Sequence, residues 1–290
     1  MVVTPSRTLR TGSYRVGSQG ACRSVTVSKL HVLNAADWAI DNSITVQLQD
    51  MGETYTMPCP VYLIEHPEGT VLVDTGVSYD MKQNPEEYGP HGAPQMSAFV
   101  DALEMDEDQE PVYQLEDRGV SASEVDYVVM THLHNDHAGT MSDFPDAEFV
   151  VQEEELRYAF WPEPSQQIFY LQGDFGMLRS SDVSVTATRG AYDVFGDDSV
   201  VTIPTPGHTK GHQSVRVELD GQTVVLSADV ALQQSGYEME RPVSFNWSLS
   251  DSIESIRTIR EEVRRRDAEL VLHHEREHID PLLGEDAAFS

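Results

Sequence analysis

The chain has 290 residues and carries 49 acidic against 19 basic side chains, a formal net charge of -30. A field of that sign repels phosphate backbones and anionic lipid, which argues against nucleic-acid and membrane partners. Hydrophobic residues make up 39% of the chain, enough for a large core, while Lys29, Lys82 and Lys210 are its only lysines; this balance predicts a foldable, salt-adapted protein whose self-repulsion is screened.

Residues 1–24 hold Arg7, Arg10, Arg15 and Arg23 but no acid and no apolar stretch, and read as a flexible arm ahead of a single folded domain, 25–290. Cys22 and Cys59 make no disulfide framework and have no liganding partner at metal spacing, so reduced, incidental thiols in a cytoplasmic protein are expected. No apolar run reaches membrane-spanning length.

Strands are predicted over 25–33 and, from clear alternation, over Ile44–Leu48. Val61–Glu65 and Val71–Asp74, separated by His66-Pro67-Glu68-Gly69-Thr70, read as a hairpin whose second strand ends in Asp74-Thr75-Gly76. Residues 80–94 read as a long Pro- and Gly-punctuated loop that either overhangs a site or is plain surface. A short helix is expected at Ser97–Leu103, a solvated acidic excursion at 104–117, and a helix start at Ser121 leading into a strand at 126–131.

That strand runs into Thr131-His132-Leu133-His134-Asn135-Asp136-His137-Ala138-Gly139. His132 and His134 are two apart, so on extended backbone they face the same way, while Asp136 and His137 can turn to a second point. Imidazole and carboxylate are the donors zinc and its neighbours prefer. A short helix at 141–144, a strand at 149–151 and a helix at 153–160 with acids in its first turn follow. The aromatic-rich segment 158–178 either lines an apolar substrate channel or packs the core or a dimer contact.

Strands near 183–187, 200–203, 214–219 and 223–228 come next, the last two joined by Asp220-Gly221. Two turns there present His208 and Asp229 at strand ends. A helix at 251–266, capped by Asp251 with Glu254 three later and with an apolar face of Ile253, Ile256, Ile259 and Val263, leads to a strand at 270–272 ending in His273-His274. Four separate strand ends thus each present a metal-type ligand. His31, His66, His91 and His278 have no partner pattern and default to structural or surface roles.

The His-x-His-x-Asp-His stretch, with Val71–Gly76, Pro206-Gly207-His208, Ser227-Ala228-Asp229 and His274-Glu275, resembles the metallo-β-lactamase superfamily, and within it the N-acyl-homoserine lactonases, over roughly residues 26–284. The resemblance implies an α/β fold, an αββα sandwich of two mixed sheets with flanking helices. It implies two divalent ions, zinc first, with manganese, iron or cobalt as alternatives. One would be held by His132, His134 and His208, the second by Asp136, His137 and His274, with Asp229 bridging. His274 is chosen over His273 because His273 takes the place of the family's glycine. Asp74 would orient a ligand histidine, and His212 would support its turn by hydrogen bonding. The implied reaction is opening of an acyl-homoserine lactone by a metal-bridging hydroxide, with Asp136 moving the proton, in a monomer or homodimer. The family's tyrosine three residues after the bridging aspartate is Leu232 here, and Tyr237 is the substitute nearest in sequence. Glyoxalase II-like ester or thioester hydrolysis is the alternative, although the basic residues nearest the motifs, Lys210 and Arg241, are sparse for glutathione recognition. An iron persulfide dioxygenase is a further rival, disfavoured because both ligand sets are complete.

Overall fold

The protein is described from a computed structural model, which covers residues 26–85, 100–284 and 288–289. The predicted arm, residues 1–24, lies outside the described residues, as does most of the predicted 80–94 loop.

Twelve strands form two mixed sheets among the described residues. They are β1 (Lys29–Asp41), β2 (Thr54–His66), β3 (Gly69–Val73), β4 (Leu103–Glu104), β5 (Tyr127–Val129), β6 (Glu148–Gln152), β7 (Ser184–Thr188), β8 (Tyr192–Asp193), β9 (Val200–Pro204), β10 (Gln213–Leu219), β11 (Gln222–Leu226) and β12 (Glu269–Val271). The larger sheet has the order β4-β1-β2-β3-β5-β6-β7 and the smaller β12-β11-β10-β9-β8.

Period-two alternation sends neighbouring residues to opposite faces. Val71 and Val73 of β3, Val129 of β5 and Val150 of β6 meet Val215, Val217, Val224 and Leu226 of the smaller sheet, forming the layer between the sheets. Leu72, Val128, Phe149 and Val151 point the other way, onto Leu115, Phe144 and Phe175. On the far side Val225 packs with Ile256 and Ile259 of the Leu249–Arg266 helix. Each such buried aliphatic side chain contributes about 1.5–3 kcal/mol relative to exposure. The result is the predicted αββα sandwich.

Several local expectations change. The first strand runs on to Asp41, and the predicted strand at Ile44–Leu48 is instead a helical turn, Asn42–Thr45, capped by Asp41 and followed by turns. Its alternation is real but does not serve a ladder: Val46 is buried, whereas Leu48 is 74% exposed at φ 62°. The expected excursion at 104–117 is ordered, as β4, a 3-10 turn at Glu107–Gln109 and the helix Pro111–Asp117, whose Leu115 is fully buried. Leu103 belongs to β4, so the predicted helix does not extend that far. The long helix starts two residues early, because the Ser248 hydroxyl accepts from the Asp251 N–H at 3.3 Å; Asp251 lies in the first turn, where its charge suits the dipole. Of its predicted face, Ile256 and Ile259 are buried, and Ile253 and Val263 only partly so.

The topology gathers the chemistry at one edge. Strands β3, β5, β6 and β7 are mutually parallel, and so are β11 and β12. Because β10 is antiparallel to both β9 and β11, those two also share a direction. Gln213 ties the sheets there, its N–H reaching the Thr131 carbonyl at 2.9 Å and its amide the Met130 carbonyl at 2.7 Å.

Candidate metal centre

The segment after β5 leaves the sheet at Thr131, and a helical turn closes from the His134 carbonyl to the His137 and Ala138 N–H groups at 3.0 and 2.9 Å. The turn brings His137 back against His132, ring centroids 4.0 Å apart, so the two are not as separate as their spacing suggests. The loop after β9 brings His208 beside them, its Nε2 3.0 Å from His134 Nδ1. That loop depends on Gly207: at φ 141°, a Cβ there would sit 2.2 Å from the Ser252 backbone nitrogen.

Asp229 stands between two groups of histidines. Its Oδ2 is 3.3 Å from His208 Nε2, and its Oδ1 is 3.3 Å from both His137 Nε2 and His274 Nε2. Asp136 Oδ2 lies 3.8 Å from the same nitrogens of His137 and His274. Among the described residues four groups have donor atoms close enough to hold an ion, and three of them are all histidine and aspartate: His132, His134 and His208; His132, His137 and Asp229; and His137, His273 and His274. His132 Nε2, His134 Nε2, His137 Nε2, His208 Nδ1, His274 Nε2 and Asp229 Oδ1 are all buried without a hydrogen-bond partner. Orphaned atoms such as His132 Nε2, His137 Nε2, His274 Nε2 and Asp229 Oδ1 are costly in an empty protein and natural around cations, and with His134 Nδ1 and His208 Nε2 turned to each other these residues fit a dinuclear metal site.

The other ring nitrogens are held from behind. Asp74, in the left-handed region at φ 63°, places Oδ2 2.8 Å from His137 Nδ1 while its Oδ1 accepts from the Thr131 N–H at 2.7 Å. His274 Nδ1 lies 2.6 Å from the Pro58 carbonyl. His212, expected to support its turn, accepts at Nε2 from the Asp229 N–H at 2.9 Å, with Nδ1 3.0 Å from the Thr205 carbonyl.

Charge divides the pocket. Burial and neighbouring imidazoles push His132 and His134 well below the usual histidine range. Burial also opposes charge on His137, but the carboxylates of Asp136, Asp229 and Asp74 overcome it and hold that ring well above its usual range. Burial works against an ionised Asp229, yet His274, His137 and His208 keep it well below the usual carboxylate range.

Three neighbours do more than the sequence reading gave them. Glu155, read as one of three acids complementing a helix dipole, is fully buried. Its carboxylate accepts from the Leu133 N–H (3.0 Å), the Tyr170 hydroxyl (2.9 Å), the Thr209 hydroxyl (2.7 Å) and the Gly211 N–H (3.0 Å). It therefore ties the loop carrying His132 and His134 to the loop carrying His208. The only signal was its place as the third acid of the run, the one turned inward. His273 is fully buried, stacked on His137 with ring centroids 4.6 Å apart, and neither of its nitrogens has a hydrogen-bond partner. Cys59, assigned no liganding partner, lies with Asp136 and His274 in a further group whose donor atoms are within 4.8 Å of one another; Cys22 is outside the described residues. Burial, then Asp136, Asp37 and Asp229, push the Cys59 thiol well above its usual range, and Arg276 offsets them only in part.

A narrow cleft opens beside the pocket, lined by Trp38, Ile40, Ile44, Met57, Phe169, Leu232 and Phe245 together with His134, Asp136, Asp229 and His274. Of the aromatic segment 158–178, Phe169 reaches this cleft, Tyr158, Tyr170 and Phe175 are buried in the core, and Trp161 is 89% exposed. Tyr237 is not among the lining residues; its ring packs on the long helix beneath the Arg260 guanidinium, 5.1 Å away, so proximity in sequence misleads. Lys210 is engaged by Glu154 at 3.6 Å and by the Trp247 ring. His31 pairs with Glu65, His66 stacks on Phe195, and His278 accepts from the Leu272 N–H, all structural contacts; His91 lies outside the described residues.

Residues 54–265 match the family model of the metallo-β-lactamase superfamily. The chain belongs to that superfamily. Within it, the chain is 33% identical over 229 residues to the N-acyl homoserine lactonase AttM of Rhizobium radiobacter, covering 78% of this chain and 85% of that one. It is 27% identical over 256 residues to an N-acyl homoserine lactonase of Bacillus thuringiensis, covering 87% and 94%. A solved N-acyl homoserine lactone hydrolase, with its product N-hexanoyl-L-homoserine at the catalytic metal centre, superposes with a TM-score of 0.74 at 26% identity, covering 87% of this chain and 95% of that one. This metallo-β-lactamase sandwich contains no helix long and apolar enough to cross a membrane among the described residues.

Proposed function

We propose that the protein is a dinuclear metal-dependent hydrolase that opens the ring of an N-acyl homoserine lactone, a quorum-quenching activity. The observation that carries this reading is Asp229, whose two oxygens face two different histidine groups, at the end of an apolar cleft. In this reading His132, His134 and His208 would hold one ion and Asp136, His137 and His274 the other, with Asp229 contributing to both. Zinc is the first candidate because the donors are imidazole and carboxylate. The ions, when bound, supply Lewis-acid activation of the ester and an activated water.

The chain's own groups do the rest. Asp74 and the Pro58 carbonyl hold the rings of His137 and His274 in one orientation. Asp136 is partly accessible, stands at the cleft, and is placed to take a proton from the attacking water and return it to the ring oxygen. Trp38, Met57, Phe169 and Phe245 give an acyl tail an apolar wall that excludes water. Leu232 occupies the wall where the resembling lactonases have a tyrosine; it cannot donate a hydrogen bond, so this position gives a substrate carbonyl no support. The same reading takes residues 25–290 as one folding unit in the cytoplasm. Its net charge of -30 supports salt adaptation, which is checked by comparing melting temperatures in dilute buffer and in molar salt: equal values end that part of the reading.

The deciding assay is proton release from a short- and a long-chain acyl-homoserine lactone, with metal-loaded enzyme in molar salt and His134→Ala as control. Ring opening that the control abolishes is expected. No opening, with a simple aryl ester still hydrolysed, would shift the substrate to the ester or thioester class. One iron per chain with oxygen uptake would replace the hydrolase reading altogether.

A further inference from the structure

β2 carries Pro58-Cys59-Pro60 past the metal pocket at an interrupted part of the β1–β2 ladder. The register shifts between Asn34 and Asp37, opposite these residues, and the Asn34 side chain replaces the ladder by accepting from the Cys59 N–H at 2.9 Å. Two prolines, which lack N–H donors, fit this break, and an irregular register beside a site re-aims side chains. Here it sets a fully buried thiol within 4.8 Å of an Asp136 carboxylate oxygen and a His274 ring nitrogen. His274 is itself fully buried, and its Nε2 has no hydrogen-bond partner. The ring is turned that way by the carbonyl of Pro58, the residue just before the cysteine. The same short segment therefore orients one donor and supplies another.

We propose that Cys59 is a ligand of the second metal, completing with Asp136 and His274 a thiolate-carboxylate-imidazole set. The inference rests on the dinuclear reading above. On binding, the thiol gives its proton to solvent and the sulfur takes the metal in its place. A thiolate favours zinc or cobalt over manganese or magnesium, so this position would discriminate between metals more sharply than the other, which has no sulfur donor.

The bland reading is a small buried side chain packed with Ala36, Trp38, Met57 and Val77. Cobalt substitution of the full-length protein separates the two. The expected result is two cobalt ions per chain with a thiolate-to-cobalt charge-transfer band in the near ultraviolet. Cys59→Val and Cys59→Ala should both lose the band and bind the second cobalt about 10- to 100-fold more weakly, while Cys22→Ser keeps both. Two cobalt ions without the band, or a band that survives in the Cys59 variants, would overturn the assignment and leave the dinuclear reading standing. A wild-type protein that takes up one ion or none would end both. Lactone opening, measured on the same preparation, reports the hydrolase reading independently.

Discussion

Around His132, His134 and His208 the pocket is imidazole with one carboxylate oxygen, Asp229 Oδ2, beside it, whereas around His137 and His274 it is imidazole interleaved with Asp136 and Asp229. The first group is kept neutral, because burial and mutual repulsion depress His132 and His134. The second is held against burial by carboxylates, which keep His137 and His274 above the usual range. Their supports differ in the same way. The first group is aligned by a shared buried carboxylate, Glu155, acting on the loops; the second by partners placed directly on each ring. A neutral cluster is ready to accept a cation without releasing protons, while the charged one must exchange protons for it. The two metal positions should therefore differ in affinity and in pH dependence.

The largest expected effect comes from removing the group unique to the charged side. Asp136→Asn should lower kcat by about 10²–10⁴-fold, with metal content read by elemental analysis to separate lost chemistry from a lost ion. Undiminished turnover would remove Asp136 from proton transfer. The supports can then be crossed against each other. Glu155→Gln should weaken the His132–His134–His208 ion by about 10–100-fold and spare the other, and Asp74→Asn should do the reverse. Competition with a chromophoric chelator measures both, and equal weakening of both ions by either variant would show that the supports are not divided as their contacts suggest.

A smaller effect is expected at the cleft. Trp38→Ala should raise KM for a long-chain lactone by about tenfold, on the scale of two buried methylenes, and leave a short-chain lactone nearly unchanged. The smallest concerns the metal-free protein. Burial, then His208, hold His212 down to about 3, while the unfolded chain takes that proton near pH 6.5. Between these values the unfolded state binds the extra proton, so stability falls as pH falls, by about 1.4 kcal/mol per unit for this group. His212→Asn should show a slope shallower by that amount in denaturant titrations between pH 6 and 4.

The sequence was most legible where function forces unusual residues into short stretches. Six residues from His132 to His137, and His208, Asp229 and His274 after β9, β11 and β12, stand out because imidazole and carboxylate at strand ends have few other uses. It was least legible where one composition serves two roles. The alternating Ile44–Leu48 run makes a capped turn at the cleft, and the acids of 104–117 decorate an ordered helix over Leu115.

The sequence alone determined the sandwich and the residues that gather at one edge of it, since alternation, turn chemistry and motif order are local properties of the chain. Only the tertiary structure decided which side chains complete the pocket. Glu155 lies 22 residues from Leu133 and 56 from Gly211, the two backbone groups it joins. Pro58 and Cys59 reach His274 across more than 200 residues of chain. Local pattern carries no information about such contacts, because they exist only after two sheets have packed and a buried polar atom must find its partner in whatever the other strands bring near.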